Sequence, residues 1–183
     1  MMKSLQITLV RPSMALKKQA LEYRNEHFQH GESVINGSEL LDQMNDYEAW
    51  LCNVTNNADP KTVNKDWVLT DTFFALRESD QKIVGIIDLR HTLNDFLKDL
   101  GHCGYSVRPS ERKKGYATEM LRQLLEVAQQ AGLPEIYLSV EKTNSASIQV
   151  IKKNGGVYDR SFIHDGQWAD IYKITLFQNH TAA

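Results

Sequence analysis

The spacing of apolar positions changes several times along the chain, and each change marks an element. Leu5 to Val10 ("LQITLV") alternates and is rich in strand-forming residues, which predicts a strand ended by Pro12. Ser13 stands where a helix cap belongs. Leu16, Ala20, Tyr23 and His27 then recur near helical spacing, predicting a helix to about Phe28. A turn covers Gly31 to Gly37, and Ser38 opens a second predicted helix, "ELLDQMNDYEAWLCNV", with Leu40, Leu41, Met44, Tyr47 and Leu51 on one face. The polar, Pro-interrupted "TNNADPKTVNKD" reads as a surface loop. "DTFFALRES" and "QKIVGIIDLRH" read as a β-hairpin turning at Ser79 to Gln81.

The second half is patterned as clearly. Thr92 to Leu100, "TLNDFLKDL", reads as a short helical insert before the strand "HCGYSVRP". From Lys114, the residues Ala117, Met120, Leu121, Leu124, Leu125 and Ala128 form a long amphipathic stripe that Gly132 and Pro134 end. "EIYLSV" alternates as a strand. "NSASIQVIKKNGG" is a short helix capped by Asn144 or Ser145 and stopped at Gly155. A hairpin around Asp165-Gly166 closes the pattern. The order β-α-α-β-β-(α)-β-α-β-α-β-β predicts an α/β chain with a mixed sheet and helices packed on it.

Composition narrows the class. The 183 residues, 42% hydrophobic and 24% charged, fit one domain over 1–183 with a real core. A net charge of −2 argues against a dedicated nucleic-acid binder. Cys52 and Cys103 stand far apart with no C-x-x-C pair, so no disulfide framework or metal site is expected, and a cytoplasmic setting follows. The N-terminal stretch has no apolar run long enough for a signal peptide, and no segment approaches the length of a membrane span.

One stretch asks for chemistry. "VRPSERKKGYATEML" runs from an extended segment through Arg112, Lys113, Lys114 and Gly115 straight into a helix. A helix start offers unpaired N–H groups and about half a unit of positive charge. A Gly just before it lets a phosphate approach the backbone. The competing reading is a plain solvated basic helix start. Neither G-x-x-x-x-G-K-[ST] nor G-x-G-x-x-G after a strand is present; what remains is R-x-x-G-x-A.

That motif, with "GYSVRPSERKKGYATEML", "NSASIQVIKKNGGV" and the element order, resembles the GNAT-family N-acetyltransferases over nearly the whole chain, and within them a bacterial branch without a settled substrate. The resemblance implies a central, mostly antiparallel sheet of about seven strands flanked by helices. It also implies an acetyl-CoA-dependent N-acetyltransferase acting on a primary amine of a small molecule or peptide. By the family pattern, the coenzyme A pyrophosphate falls on Arg112, Lys113, Lys114, Gly115, Tyr116, Ala117 and Thr118. The pantetheine arm falls on Ser106 and Val107, and a further cofactor contact on Asn144.

Amine acetylation requires a neutral amine, stabilisation of the acyl oxygen and a proton for the leaving thiolate, most of the gain coming from alignment of the two substrates. A backbone N–H at Ser106 is the expected oxyanion donor, provided a bulge frees it. The family's Tyr, seven residues after the cofactor Asn, is replaced here by Ile151, leaving Tyr158 or water as proton donor or the step unassisted. His91 and His102, at strand ends, are the candidate bases, with structural histidines as the competing reading. Arg90 neighbours His91 in sequence but points to the other face of a strand. Glu111 reads as a loop-fixing carboxylate and Cys103 as a buried thiol rather than a nucleophile. Glu22, Glu26, Glu32, Glu39, Asp42, Asp46 and Glu48 either draw a cationic amine or are solvated helix faces. Trp50, Trp67 and Trp168 line a pocket or pack the core. Two rival functions remain, a catalytically silent acyl-CoA sensor favoured by Ile151 and a nucleic-acid binder using Arg108 and its basic neighbours; a homodimer is left open.

Overall fold

The computed structural model describes residues 5–177; the first four residues of the stretch scanned for a signal peptide lie outside them. Within that span the elements are β1 (Ile7–Val10), α1 (Lys17–Gln29), α2 (Tyr47–Asn57), β2 (Thr70–Arg77), β3 (Ile83–Arg90), β4 (Tyr105–Val107), α3 (Tyr116–Gln130), β5 (Glu135–Glu141), α4 (Ser145–Lys153), β6 (Val157–His164) and β7 (Gln167–Thr175). These are the seven strands in the order expected. They form two sheets, β1-β2-β3-β4 and β5-β7-β6, in which every neighbouring pair is antiparallel.

β2 and β3 are the centre of the molecule because nearly every residue in them is buried, on both faces. A register shift between Ala75 and Leu76 lets Ile83 and Ile86 share one face while Val84, Ile87 and Leu89 serve the other. On one side Tyr23 of α1 and Trp50 and Val54 of α2 pack on Phe74, Ile83 and Ile86. On the other, Met120, Leu121 and Leu124 of α3 and Ile136, Leu138 and Val140 of β5 join the core around Phe73 and Ile87. No helix among the described residues is long and apolar enough to cross a membrane.

Three expected elements differ. Ser13 makes no side-chain cap; its carbonyl instead accepts from Leu16 N–H and Tyr47 Oη, and a 3-10 turn at Met14–Leu16 precedes α1. The second helix begins at Tyr47, not Ser38. Asp46 caps it by accepting from Glu48 N–H at 2.9 Å, and the residues before it form turns in which Glu39 and Leu40 have φ of 49° and 72°. Trp50 is the reason: its Nε1–H donates to the carbonyls of Ser38 and Glu39 at 2.9 and 3.0 Å, which no helix through that segment would leave free. The insert from Thr92 to Leu100 is a series of turns anchored by buried Leu97, not a helix.

Carboxylates pin the turn between β4 and α3. Glu26 accepts from Arg108 and from Ser110 N–H, both at 2.8 Å, and the buried Glu111 gathers Arg77, Lys82 and Lys114 at 2.7 to 3.0 Å. Burial alone would raise both carboxyls, but these donors hold each at about 2.

Two outcomes follow. Trp50→Ala removes a fully buried indole and two carbonyl partners, and lowers unfolding free energy by about 3–5 kcal/mol in a denaturant titration. Because Glu26 and Glu111 bind protons less readily folded than at their ordinary 4.5, their stabilisation is complete above about 4.5 and disappears as pH falls toward about 2. Urea midpoints measured down this range fall less steeply for Glu111→Gln than for the parent chain.

Candidate active site

β4 and β5 are neighbours that do not pair. His102 N–H donates to Tyr137 O at 2.7 Å and Gly101 bridges Leu138, after which the two strands belong to different sheets. A cavity of about 520 Å3 occupies the parting, walled by Cys103, Gly104 and Tyr105 on one side and Leu138 to Glu141 on the other, with Asn144 and Ser147 from the start of α4. On the β3 side the ladder runs without a bulge. Asp88 N–H donates to Gly104 O and Arg108 N–H to Val84 O, so the paired Ser106 turns its N–H toward β3. The expected bulge at Ser106 is therefore absent, and alternation turns the amides of Tyr105 and Val107 to the open edge.

The basic turn has the backbone a phosphate needs. Lys113 and Gly115 adopt φ of 62° and 90°, and Gly115 stands at the N-terminus of α3 with no side-chain cap. Among the described residues, the N–H groups of Lys113 to Thr118 donate to no protein acceptor. Two of the three leading cations already have partners. Arg112 meets both carboxylate oxygens of Glu32 and donates to Val107 O, and Lys114 joins Glu111. The Arg112 contact, with His27, holds Glu32 at about 2. Asn144 accepts from Ser147 N–H at 3.1 Å, capping α4, and Asn154 at that helix's far end donates to Thr118 O at 3.2 Å, tying α4 to the start of α3.

The structure separates the expected acid–base residues from this cavity. His91 hydrogen-bonds Asp71 at 2.7 Å, a carboxylate also held by Arg11. His102 lies buried with Nδ1 accepting from Tyr137 N–H at 2.9 Å, and burial, with Arg90 nearby, lowers it to about 4. Tyr158 is exposed on β6 and bonds Ser161. None of the three lines the cavity. Cys103 does, but burial pushes its thiol up and keeps it protonated. Ile151 lines it as well and is almost fully buried.

What the cavity does contain is Tyr105, whose hydroxyl lies 2.6 Å from Ser147 Oγ and which burial pushes up. Sequence reading used Tyr105 only as part of a strand; its place opposite the start of α4 is a product of topology. A second cavity, also about 520 Å3, meets the first at Asn36, Gly37 and Arg90 and is lined by Glu39 and Trp67. Of the other acidic residues in this region, Asp42 holds Ile35 N–H, Glu48 meets Lys17, and Asp46, Glu26 and Glu32 anchor the backbone and arginines described above. Trp50 is core, Trp67 lines the second cavity, and Trp168 is exposed beneath Lys142.

Known structures share this architecture. The acetyltransferase of the GNAT family from Streptococcus pneumoniae superposes with a TM-score of 0.67 at 16% identity, covering 93% of this chain and 99% of that one. YncA from Salmonella typhimurium, solved with its cofactor acetyl-CoA, gives 0.67 at 15% identity and 96% coverage of both chains. The spermidine/spermine N-acetyltransferase SpeG of Vibrio cholerae gives 0.64 at 15% identity, covering 93% and 94%. At these identities the likeness is one of fold. No curated protein matches the sequence. The family model described as "Acetyltransferase (GNAT) domain" matches residues 22–157, most of the chain, and with the shared fold it establishes that the chain belongs to the GNAT acetyltransferase family.

Proposed function

We propose that the chain, acting as one domain, transfers the acetyl group of acetyl-CoA to a primary amine of a small molecule or peptide by direct attack in a ternary complex. The observation that carries this reading is the pair of free strand edges, β4 and β5, facing each other across a cavity that α4 also lines, with the uncapped start of α3 tied to α4 through Asn154 and Thr118. Acetyl-CoA, which the relative YncA binds, supplies an activated acetyl thioester. The open edge of β4 can hold the amides of its pantetheine arm as an added strand would be held, through Tyr105 and Val107. The free N–H groups of Lys113 to Thr118, in their left-handed turn at a helix N-terminus, suit the pyrophosphate. Arg112 keeps its charge engaged with Glu32, so Lys113 and the backbone carry most of that contact.

Within the cavity, Tyr105 Oη takes the role that Ile151 vacates, giving a proton at the thioester sulfur, with Ser147 fixing its rotamer. The protonated, buried Cys103 supports direct transfer over a route through an acetylated cysteine. A silent acyl-CoA sensor, which Ile151 favours, differs in one measurable respect: it releases no thiol with any amine.

Thiol release from acetyl-CoA across a panel of primary amines, with calorimetric binding in parallel, tests the reading; binding without release for any amine sinks the transferase. At the pyrophosphate turn, Gly115→Ala and Gly115→Asp share the strain of a side chain at φ 90°. Gly115→Asp adds a negative charge there, and acetyl-CoA affinity falls at least about tenfold further than in Gly115→Ala, or about 1.4 kcal/mol. Equal affinities in the two would remove the pyrophosphate from this turn. Tyr105→Phe slows thiol release about 10²-fold while acetyl-CoA affinity holds, and an unchanged rate would dismiss Tyr105 as the acid.

A further inference from the structure

Glu39 lies in a segment built with unusual care. It and Leu40 adopt consecutive left-handed conformations, uncommon for residues other than glycine. Trp50 Nε1–H holds the carbonyls on either side of its amide, and Asp42 holds Ile35 N–H at 2.8 Å. Gly37 presses on β4 so closely that a Cβ there would meet Gly104 O at 2.2 Å. This clamp delivers the Glu39 carboxyl to Asp88 and the Trp67 indole, at the wall of the second cavity.

Asp88 is the unusual partner. It is 0% exposed, its Oδ1 accepts Gly104 N–H at 2.5 Å, and its Oδ2 has no aligned hydrogen bond, lying 3.1 Å from Arg90 Nη2. Arg90 also donates to Gly101 O and lines both cavities. Burial and a neighbouring carboxyl both favour the neutral form of Glu39, and the Arg90 charge opposes them. Burial first, then the Asp88 charge, push Glu39 up to about 8, against the opposing pull of Arg90. The other charged groups facing this cavity are Asp42, from the same segment, and Asp66, from the loop before β2. The rim is apolar, with Val34, Leu40 and Phe96 exposed and the Phe96 ring 6.4 Å from Trp67.

Resting on the transferase reading above, we propose that Glu39 is the catalytic base that deprotonates the acceptor amine, that Asp88 is its positioning residue, and that the second cavity admits a primary amine carrying an aromatic or apolar group. In the step, an N–H bond of the ammonium breaks, its electron pair stays on nitrogen, and the proton moves to a Glu39 carboxylate oxygen. The lone pair then forms the C–N bond to the acetyl carbon as the C–S bond breaks. Sulfur keeps that pair and takes a proton from Tyr105 Oη, and solvent carries the Glu39 proton away and restores the one lost by Tyr105. Only ionised Glu39 accepts a proton, so transfer rises with pH through about 8.

Two measurements on the full chain test this. Carboxyl 13C NMR of the glutamate-labelled protein is expected to show one group titrating near pH 8, absent in Glu39→Gln and moved to lower pH in Asp88→Asn, which keeps an acceptor for Gly104 N–H but loses the like charge. Thiol release with phenethylamine as acceptor is expected to fall about 10²-fold in Glu39→Gln at unchanged acetyl-CoA affinity, and its rise with pH to shift downward in Asp88→Asn. A wild-type rate in Glu39→Gln, no glutamate titrating above about pH 6, or acetylation of other amines but not phenethylamine overturns the proposal. Absence of acetyl-CoA binding by the parent chain overturns the transferase reading instead, and the NMR titration, which needs no cofactor, separates the two failures.

Discussion

Everything at the site depends on one parting of strands. His102 N–H to Tyr137 O and the bridge from Gly101 to Leu138 are the last backbone ties between the two sheets before they separate. Had β5 continued along β4, the amides of Tyr105 and Val107 would be spent in a ladder and the cavity would be filled by the cores of both strands. Instead each strand keeps its other neighbour, β3 or β7, and leaves an edge unpaired. An exposed edge is ordinarily a liability. Here both are turned inward upon a cavity, where a ligand with its own amides can satisfy them. The seam also explains His102: buried where Nδ1 accepts from Tyr137 N–H, it is lowered by that burial and by the Arg90 charge, and is thereby unsuited to collect protons near neutral pH.

The same economy governs the charges. Glu111, Glu26 and Glu32 sit beside the basic turn, and each takes up cations that the sequence displays as free. A cluster of Arg112, Lys113 and Lys114 with no counter-charge would repel itself in the absence of an anion and depend on one to fold. Pairing Arg112 and Lys114 internally leaves the turn's shape fixed and its backbone amides unspent. Attraction for a polyanion then comes from oriented N–H groups and the α3 terminus, which cost no side-chain ordering when the anion arrives.

Local signals made most of the fold legible and left the catalytic corner obscure. The seven strands, the α3 stripe with its Gly115 start and Gly132 stop, and the Asn144 cap all follow from periodicity and capping within a few residues. So did the R-x-x-G-x-A turn, because a left-handed Gly before a helix is a local fact. The misplaced helix start at Ser38 shows the opposite case. Leu41, Met44 and Tyr47 do share helical spacing and are at least partly buried, but Trp50, in the helix that starts at Tyr47, competes for the carbonyls of Ser38 and Glu39. Tyr105 and Asp88 escaped notice for the same reason. Nothing adjacent in sequence tells that Tyr105 faces Ser147, 42 residues away, or that Asp88, within an apolar strand, stands against Glu39.

Asp88 is the residue that best shows where folding and chemistry pull apart. A carboxylate at 0% exposure near the end of β3 costs several kcal/mol unless its partners repay the desolvation. An apolar residue there would leave Gly104 N–H without its acceptor at the point where β4 turns toward the cavity, so one oxygen has a structural task. The other oxygen forms an ion pair with Arg90 Nη2 at 3.1 Å without a well-aligned hydrogen bond, and the Asp88 charge also acts on Glu39. An asparagine would serve Gly104 equally well and avoid the buried charge. The anionic oxygen that asparagine would lack pairs with Arg90 and raises the pKa of a glutamate that left-handed backbone and a tryptophan hold at the wall of the second cavity, which is the charge the proposed base at the junction of the two cavities uses.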